Sequence, residues 1–124
     1  MRKNILVIDD DESVRSVLED ILIYADFNVK SSSGANGIFD TIKDFKPDLV
    51  LMDYILLGVN GGEICHQIKI NDQTAHLPVI LISAYPKVLQ SLGDYGCDEF
   101  IAKPFDLEQL VSCVNNCLTH SVIG

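Results

Sequence analysis

Two short apolar runs set the pattern of the chain. Ile5-Leu6-Val7-Ile8 stops at Asp9-Asp10-Asp11, and Leu49-Val50-Leu51-Met52 stops at Asp53. Apolar runs this short, without alternation and bounded by polar residues, read as strands buried on both faces, the habit of a parallel sheet covered by helices. Leu77 to Ile82 repeats the pattern and ends in Ser83-Ala84, and Glu99 to Ala102 gives a fifth strand before Lys103-Pro104. Phe27 and Val29 alternate with Asn28 and Lys30, which predicts a less buried strand at a sheet edge.

Between the strands the apolar period changes to that of helices. Val14, Val17, Leu18, Ile21 and Leu22 predict a first helix, with Asp11 as its cap and acidic Asp11 and Glu12 where the helix dipole favours them. Ser33 is placed as the cap of a second helix carrying Ala35, Ile38, Phe39 and Ile42, and Pro47 closes the connection to the central strand. A loop after Asp53 ends at Asn60-Gly61-Gly62-Glu63, where Asn60 and Glu63 have capping-box spacing for a third helix with Ile64, Cys65 and Ile68. A fourth helix is expected over roughly Pro86 to Tyr95, interrupted by Gly93. The last helix has Asp106 and Gln109 in capping positions and is expected to bury Leu107, Leu110, Val111, Val114 and Leu118.

Five strands and five helices in strict alternation define a single doubly wound α/β domain with right-handed crossovers. In such folds ligands sit beyond the carboxyl ends of the strands. Four strands place chemistry there: Asp9 with Asp10, Asp53, Ser83 and Lys103.

Composition narrows the class. The 124 residues suffice for one core, and the formal charge of -9, with nine Lys and Arg scattered along the chain, argues against direct nucleic-acid binding. No apolar stretch is long enough to cross a bilayer. The start, Met1-Arg2-Lys3-Asn4, runs straight into the first strand, so a cytoplasmic protein without a signal peptide is expected. Cys65, Cys97, Cys113 and Cys117 lack a CxxC pair or zinc-like His spacing and read as small apolar residues. His66, His76 and His120 fall in polar segments or the tail.

If the first and third strands are parallel neighbours, Asp9, Asp10 and Asp53 converge. Clustered carboxylates raise one another's pKa unless a cation offsets the repulsion, so the arrangement implies a bound divalent metal. Magnesium suits such hard oxygen ligands and commonly completes its shell with phosphate oxygens. A carboxylate left free to attack phosphorus forms an acyl phosphate, and Lys103, the Ser83 hydroxyl and the Ala84 amide are placed to stabilise its oxygens.

The series Asp9-Asp10, Asp53, Ser83-Ala84 and Lys103-Pro104-Phe105 resembles the receiver domain of two-component response regulators, over almost the whole chain. The resemblance implies a flavodoxin-like and CheY-like sheet of order 2-1-3-4-5, with residues 1–120 as the receiver and 121–124 as a tail or the start of a linker. It implies that Asp53 is the phosphoacceptor and that Asp9, Asp10, Asp53 and the main-chain carbonyl of Ile55 bind Mg2+. Ser83, Ala84 and Lys103 would attend the phosphoryl group, with Ser83 and Phe100 as the switch pair. The implied phosphodonor is a histidine kinase or a histidine phosphotransfer protein. The implied target, a downstream protein or an attached output domain, meets the face of the fourth helix, fifth strand and fifth helix. That face also allows a phosphorylation-dependent homodimer. No membrane or direct nucleic-acid partner is implied.

Three positions depart from the family pattern. Leu57 stands where proline is common, predicting a less rigid loop. The stretch from Ser83 to Lys103 is slightly short, with Gly93 inside it, predicting a fourth helix that is truncated or mobile. Apolar Ile55 and bulky Tyr85 replace side chains that help water attack the acyl phosphate in relatives, so a long-lived phosphoryl state is expected. The alternatives are a haloacid-dehalogenase-like Mg2+ phosphatase, which needs a second acid where Ile55 stands, and a flavodoxin-like carrier, whose phosphate Asp9-Asp10-Asp11 would repel. A phosphorylation-independent receiver-like binding module is a third.

Overall fold

The computed structural model describes residues 2–56, 59–84 and 96–123, with 55, 56, 59, 60 and 120–123 described in backbone only. Five strands, β1 (Asn4–Ile8), β2 (Asn28–Ser32), β3 (Leu49–Asp53), β4 (Val79–Ser83) and β5 (Glu99–Ala102), form one sheet in the order β2-β1-β3-β4-β5. Every neighbouring pair is parallel. This is the doubly wound order expected, with the half-buried β2 at one edge. Β-strand pairing is joined by a two-residue antiparallel ladder, Ile55–Leu56 with Val59–Asn60, in the segment expected as loop.

The pleat sorts the core into two layers. Ile5, Val7, Leu49, Leu51, Ile80, Ile82 and Ile101 face α1 (Glu12–Tyr24) and the C-terminal helix (Leu107–Ile123). Leu6, Ile8, Val50, Met52, Val79 and Leu81 face α2 (Ile38–Phe45) and α3 (Gly61–Ile70). Strand residues from β1, β3 and β4 are almost wholly buried, which is why their sequences run apolar without alternation.

Four helices lie among the described residues; the expected fourth helix, with Gly93, falls in 85–95, outside them. The cap assigned to Ser33 is a correction. The Ser32 hydroxyl donates to the Gly34 carbonyl at 2.8 Å, the chain turns at Asn36-Gly37, and Gly37 has φ +69. That left-handed step suits glycine and delays α2 until Ile38, leaving Ala35 ahead of it. Leu107, expected in the core, is 47% exposed, and Val17, on the periodic stripe of α1, is 53% exposed. Cys117 instead joins Leu110, Val114 and Leu118 beneath the C-terminal helix. Asp106 caps that helix as expected, accepting the Gln109 N–H at 2.7 Å. The helix runs on to Ile123, into the segment expected as tail. Among the described residues no helix is long and apolar enough to cross a membrane.

Candidate functional site

Strand register alone brings the polar residues together. Β1 and β3 pair from Ile5 with Leu49 to Ile8 with Met52, so the next step sets Asp9 beside Asp53. Β3 pairs Asp53 with Ile82, one residue before Ser83, and β4 pairs Ser83 with Ala102, one residue before Lys103. Each apolar run therefore ends at the same edge, and its first polar residue enters one site.

There, oxygen atoms of Asp9, Asp10 and Asp53 lie within 4.8 Å of one another. Asp9 is 1% exposed and Asp53 8% exposed, while Asp10 is half-buried. Lys103 Nζ lies 3.4 Å from Asp53 Oδ1 and 3.7 Å from Asp9 Oδ2. Burial pushes the Asp53 carboxyl above its ordinary value; Lys103 pulls it down, and the charges of Asp9 and Asp10 push it up again. Burial prevails because one lysine must offset more than one anion. Asp9 Oδ2 is buried with no hydrogen-bond partner. An anionic oxygen left so, among carboxylates and turned toward the site, fits a hard divalent cation.

Backbone packing fixes the far side of Asp53. The Gly61 N–H donates to the Tyr54 carbonyl at 2.7 Å, and a Cβ on Gly61 would overlap the Asp53 carbonyl oxygen. Only glycine lets α3 start this close to the end of β3. The helix begins immediately after Asn60, where the capping-box spacing put its start.

The other expected site residues divide by position. Ser83 is 1% exposed at the end of β4, and Ala84 beside it is exposed. Ala84 and Lys103 border an open depression of about 550 Å³ lined by Val14, Val17, Ile21 and Phe105, which accounts for the exposure of Val17. Phe100 packs at the margin of the layer with α2 and α3, the face onto which the pleat also directs Ser83. Ile55 lies in the short ladder two residues past Asp53 and is described in backbone only; Leu57 and Tyr85 fall outside the described residues.

Two contacts carry no sequence pattern that announces them. The Asp11 N–H donates to Asp9 Oδ1 at 2.9 Å, while Asp11 Oδ1 caps α1 by accepting from Ser13 and Val14. Arg15 Nη1 donates to the Asp9 carbonyl at 2.8 Å. The one available signal was the position of Arg15, in the first turn of α1 and four residues after the cap.

Residues 5–115 match the response regulator receiver domain family. The chain is 34% identical over 123 residues to a protein named "probable transcriptional regulator ycf29" of Cyanophora paradoxa, covering 97% of this chain and 59% of that one. It is 32% identical over 111 residues to the response regulator ArlR of Staphylococcus aureus, covering 87% of this chain and 49% of that one. The chain thus spans about half the length of these curated relatives. Among solved structures, NtrX from Brucella abortus, in complex with ADP, superposes with a TM-score of 0.88 at 29% identity, covering 99% of this chain and 28% of that one. Because the family match runs from the first strand into the C-terminal helix and takes in all the strand ends that meet at the acidic site, the chain belongs to the receiver domains of two-component response regulators.

Proposed function

We propose that Asp53 accepts a phosphoryl group from a phosphohistidine, carried by a histidine kinase or a histidine phosphotransfer protein, in a reaction that requires Mg2+. The observation that carries this reading is the placement of Asp53 with Asp9, Asp10 and Lys103 at one edge of the sheet. Asp9, Asp10, Asp53 and the main-chain carbonyl of Ile55 would hold the ion. Bound there, magnesium supplies positive charge to the carboxylates and to a phosphoryl oxygen.

In the transfer an Asp53 carboxylate oxygen forms the new P–O bond as the P–N bond to imidazole breaks, and the nitrogen keeps the bonding pair. Lys103 pairs with a phosphoryl oxygen, and the Ser83 hydroxyl and Ala84 N–H donate to another. Ser83 and Phe100 on one face of the sheet provide the switch: as Ser83 moves to the phosphoryl group, Phe100 turns into the space it leaves. The domain then shifts population toward a second packing that reshapes the face of the fourth-helix region, β5 and the C-terminal helix. That face meets a downstream protein, an output domain of the same protein or a second copy. The length of the relatives, one of them named a transcriptional regulator, supports an attached output domain, to which any DNA contact belongs. Residues 1–120 form the receiver unit, working in the cytoplasm, and hydrolysis is slow because apolar Ile55 and bulky Tyr85 stand in the sequence where relatives carry side chains that help water attack.

Incubation with acetyl phosphate and Mg2+, followed by intact mass, tests the reading. One phosphoryl group is expected on the wild type and none on Asp53→Asn or after chelation. An unmodified wild type, or an adduct that survives Asp53→Asn, contradicts it. Loss of the adduct within seconds in magnesium buffer contradicts slow hydrolysis.

A further inference from the structure

Asp9 has four groups able to hydrogen bond, and three are engaged. Its N–H donates to the Ser32 carbonyl at 3.1 Å, tying it to β2. Its Oδ1 accepts the Asp11 N–H at 2.9 Å, and its carbonyl accepts Arg15 Nη1 at 2.8 Å. Oδ2 alone is left, buried and 3.7 Å from Lys103 Nζ. The residue is therefore held by its backbone and one oxygen so that the other oxygen faces the site.

Arg15 is the one member of that set that reaches Asp9 with a side-chain donor. It stands in the first turn of α1, where the helix dipole disfavours a cation, and among the described residues it makes no ion pair. Its guanidinium reaches back across the turn to a carbonyl that lies beyond the last paired residue of β1. A hydrogen bond from a charged donor is among the stronger ones, and it acts on the main chain that carries Asp9.

We propose that Arg15 is a positioning residue for the cation site: through the Asp9 carbonyl it fixes the rotation that presents Oδ2 to Mg2+. The proposal rests on reading the acidic cluster as a magnesium site. It makes a prediction whose sign separates it from simple electrostatics. Removing a cation near three carboxylates would by charge alone tighten Mg2+ binding, whereas loss of a group that orients a ligand weakens metal binding by about 10-fold.

Calorimetric titration with MgCl2, without phosphodonor, tests this on the wild type, Arg15→Met and Arg15→Lys, with thermal melts of each. Arg15→Met is expected to bind Mg2+ about 10-fold more weakly, and Arg15→Lys, which keeps charge and donor, to recover most of the loss. Unchanged or tighter binding by Arg15→Met, with the wild type binding normally, overturns the role of Arg15 and leaves the magnesium site standing. If Arg15→Met fails to melt cooperatively, Arg15→Gln, which removes the charge and shortens the donor's reach, decides: weaker Mg2+ binding than wild type supports positioning, and equal or tighter binding overturns it. No Mg2+ binding by the wild type overturns the site reading and this inference together.

Discussion

Two lysines at opposite edges of the sheet each face carboxylate, and they differ in how much of their bonding is used. Lys69 Nζ, at the amino edge, lies 2.7 Å from Asp98 Oδ2 and donates to the Leu77 carbonyl at 2.6 Å. Asp98 Oδ2 also accepts the Val79 N–H at 2.8 Å, so one ion pair ties α3 to the start of β4 and the approach to β5. At the carboxyl edge Lys103 stands 3.4 and 3.7 Å from two anions, and one of the oxygens it faces has no hydrogen bond. The first pair is closed and stabilises the fold. The second leaves negative charge unneutralised, a cost to stability that a bound cation would relieve.

The largest effect should come from the backbone that keeps the open edge in place. In Gly61→Ala the added Cβ meets the Asp53 carbonyl, and overpacking against main chain should cost about 3 kcal/mol, read as a lower midpoint in urea melts. An unchanged midpoint would show that the edge yields.

Lys69→Met breaks the closed pair and should destabilise by about 2 kcal/mol, because it removes the cation that Asp98 faces and the Lys69 donor to the Leu77 carbonyl. Phosphoryl uptake by the folded fraction should be unaffected. Loss of uptake at full stability would mean that the two edges are not independent.

Asp53→Asn should do the opposite and stabilise the metal-free protein by about 1 kcal/mol, the scale of one charge pair in a water-like dielectric. The sign follows from the raised Asp53 pKa. Above the ordinary carboxylate value of 3.8 the folded wild type retains its proton longer than the unfolded chain does. Stability attributable to this group therefore falls as pH rises from there, and levels off above the folded pKa. The advantage of Asp53→Asn should appear at neutral pH and vanish below 3.8. A variant less stable than wild type at pH 7 would place Asp53 among the closed pairs. Mg2+ should narrow the difference by stabilising the wild type.

The site was legible in the sequence because each apolar run ends in its polar residue, and parallel register carries those ends to one edge. Asp9, Asp53 and Lys103 could be placed that way without a contact being known. Helix periodicity was less exact at its borders: it located the stripes of α1 and the C-terminal helix but could not tell that Val17 and Leu107 lie outside the cover of a neighbour. Ser33 had the right chemistry for a cap and the wrong backbone, since the glycine turn after it sets where α2 begins. Arg15 was not legible because it acts on a main-chain carbonyl, which any residue supplies.

The most direct measurement is the chemical identity of the phosphoacceptor. After reaction with acetyl phosphate and Mg2+, borohydride reduces an aspartyl phosphate to homoserine, and peptide mass mapping locates it. Homoserine at position 53, absent without Mg2+, is the expected result. Homoserine at Asp9 or Asp10, or none in a protein that carries phosphate, would contradict the assignment.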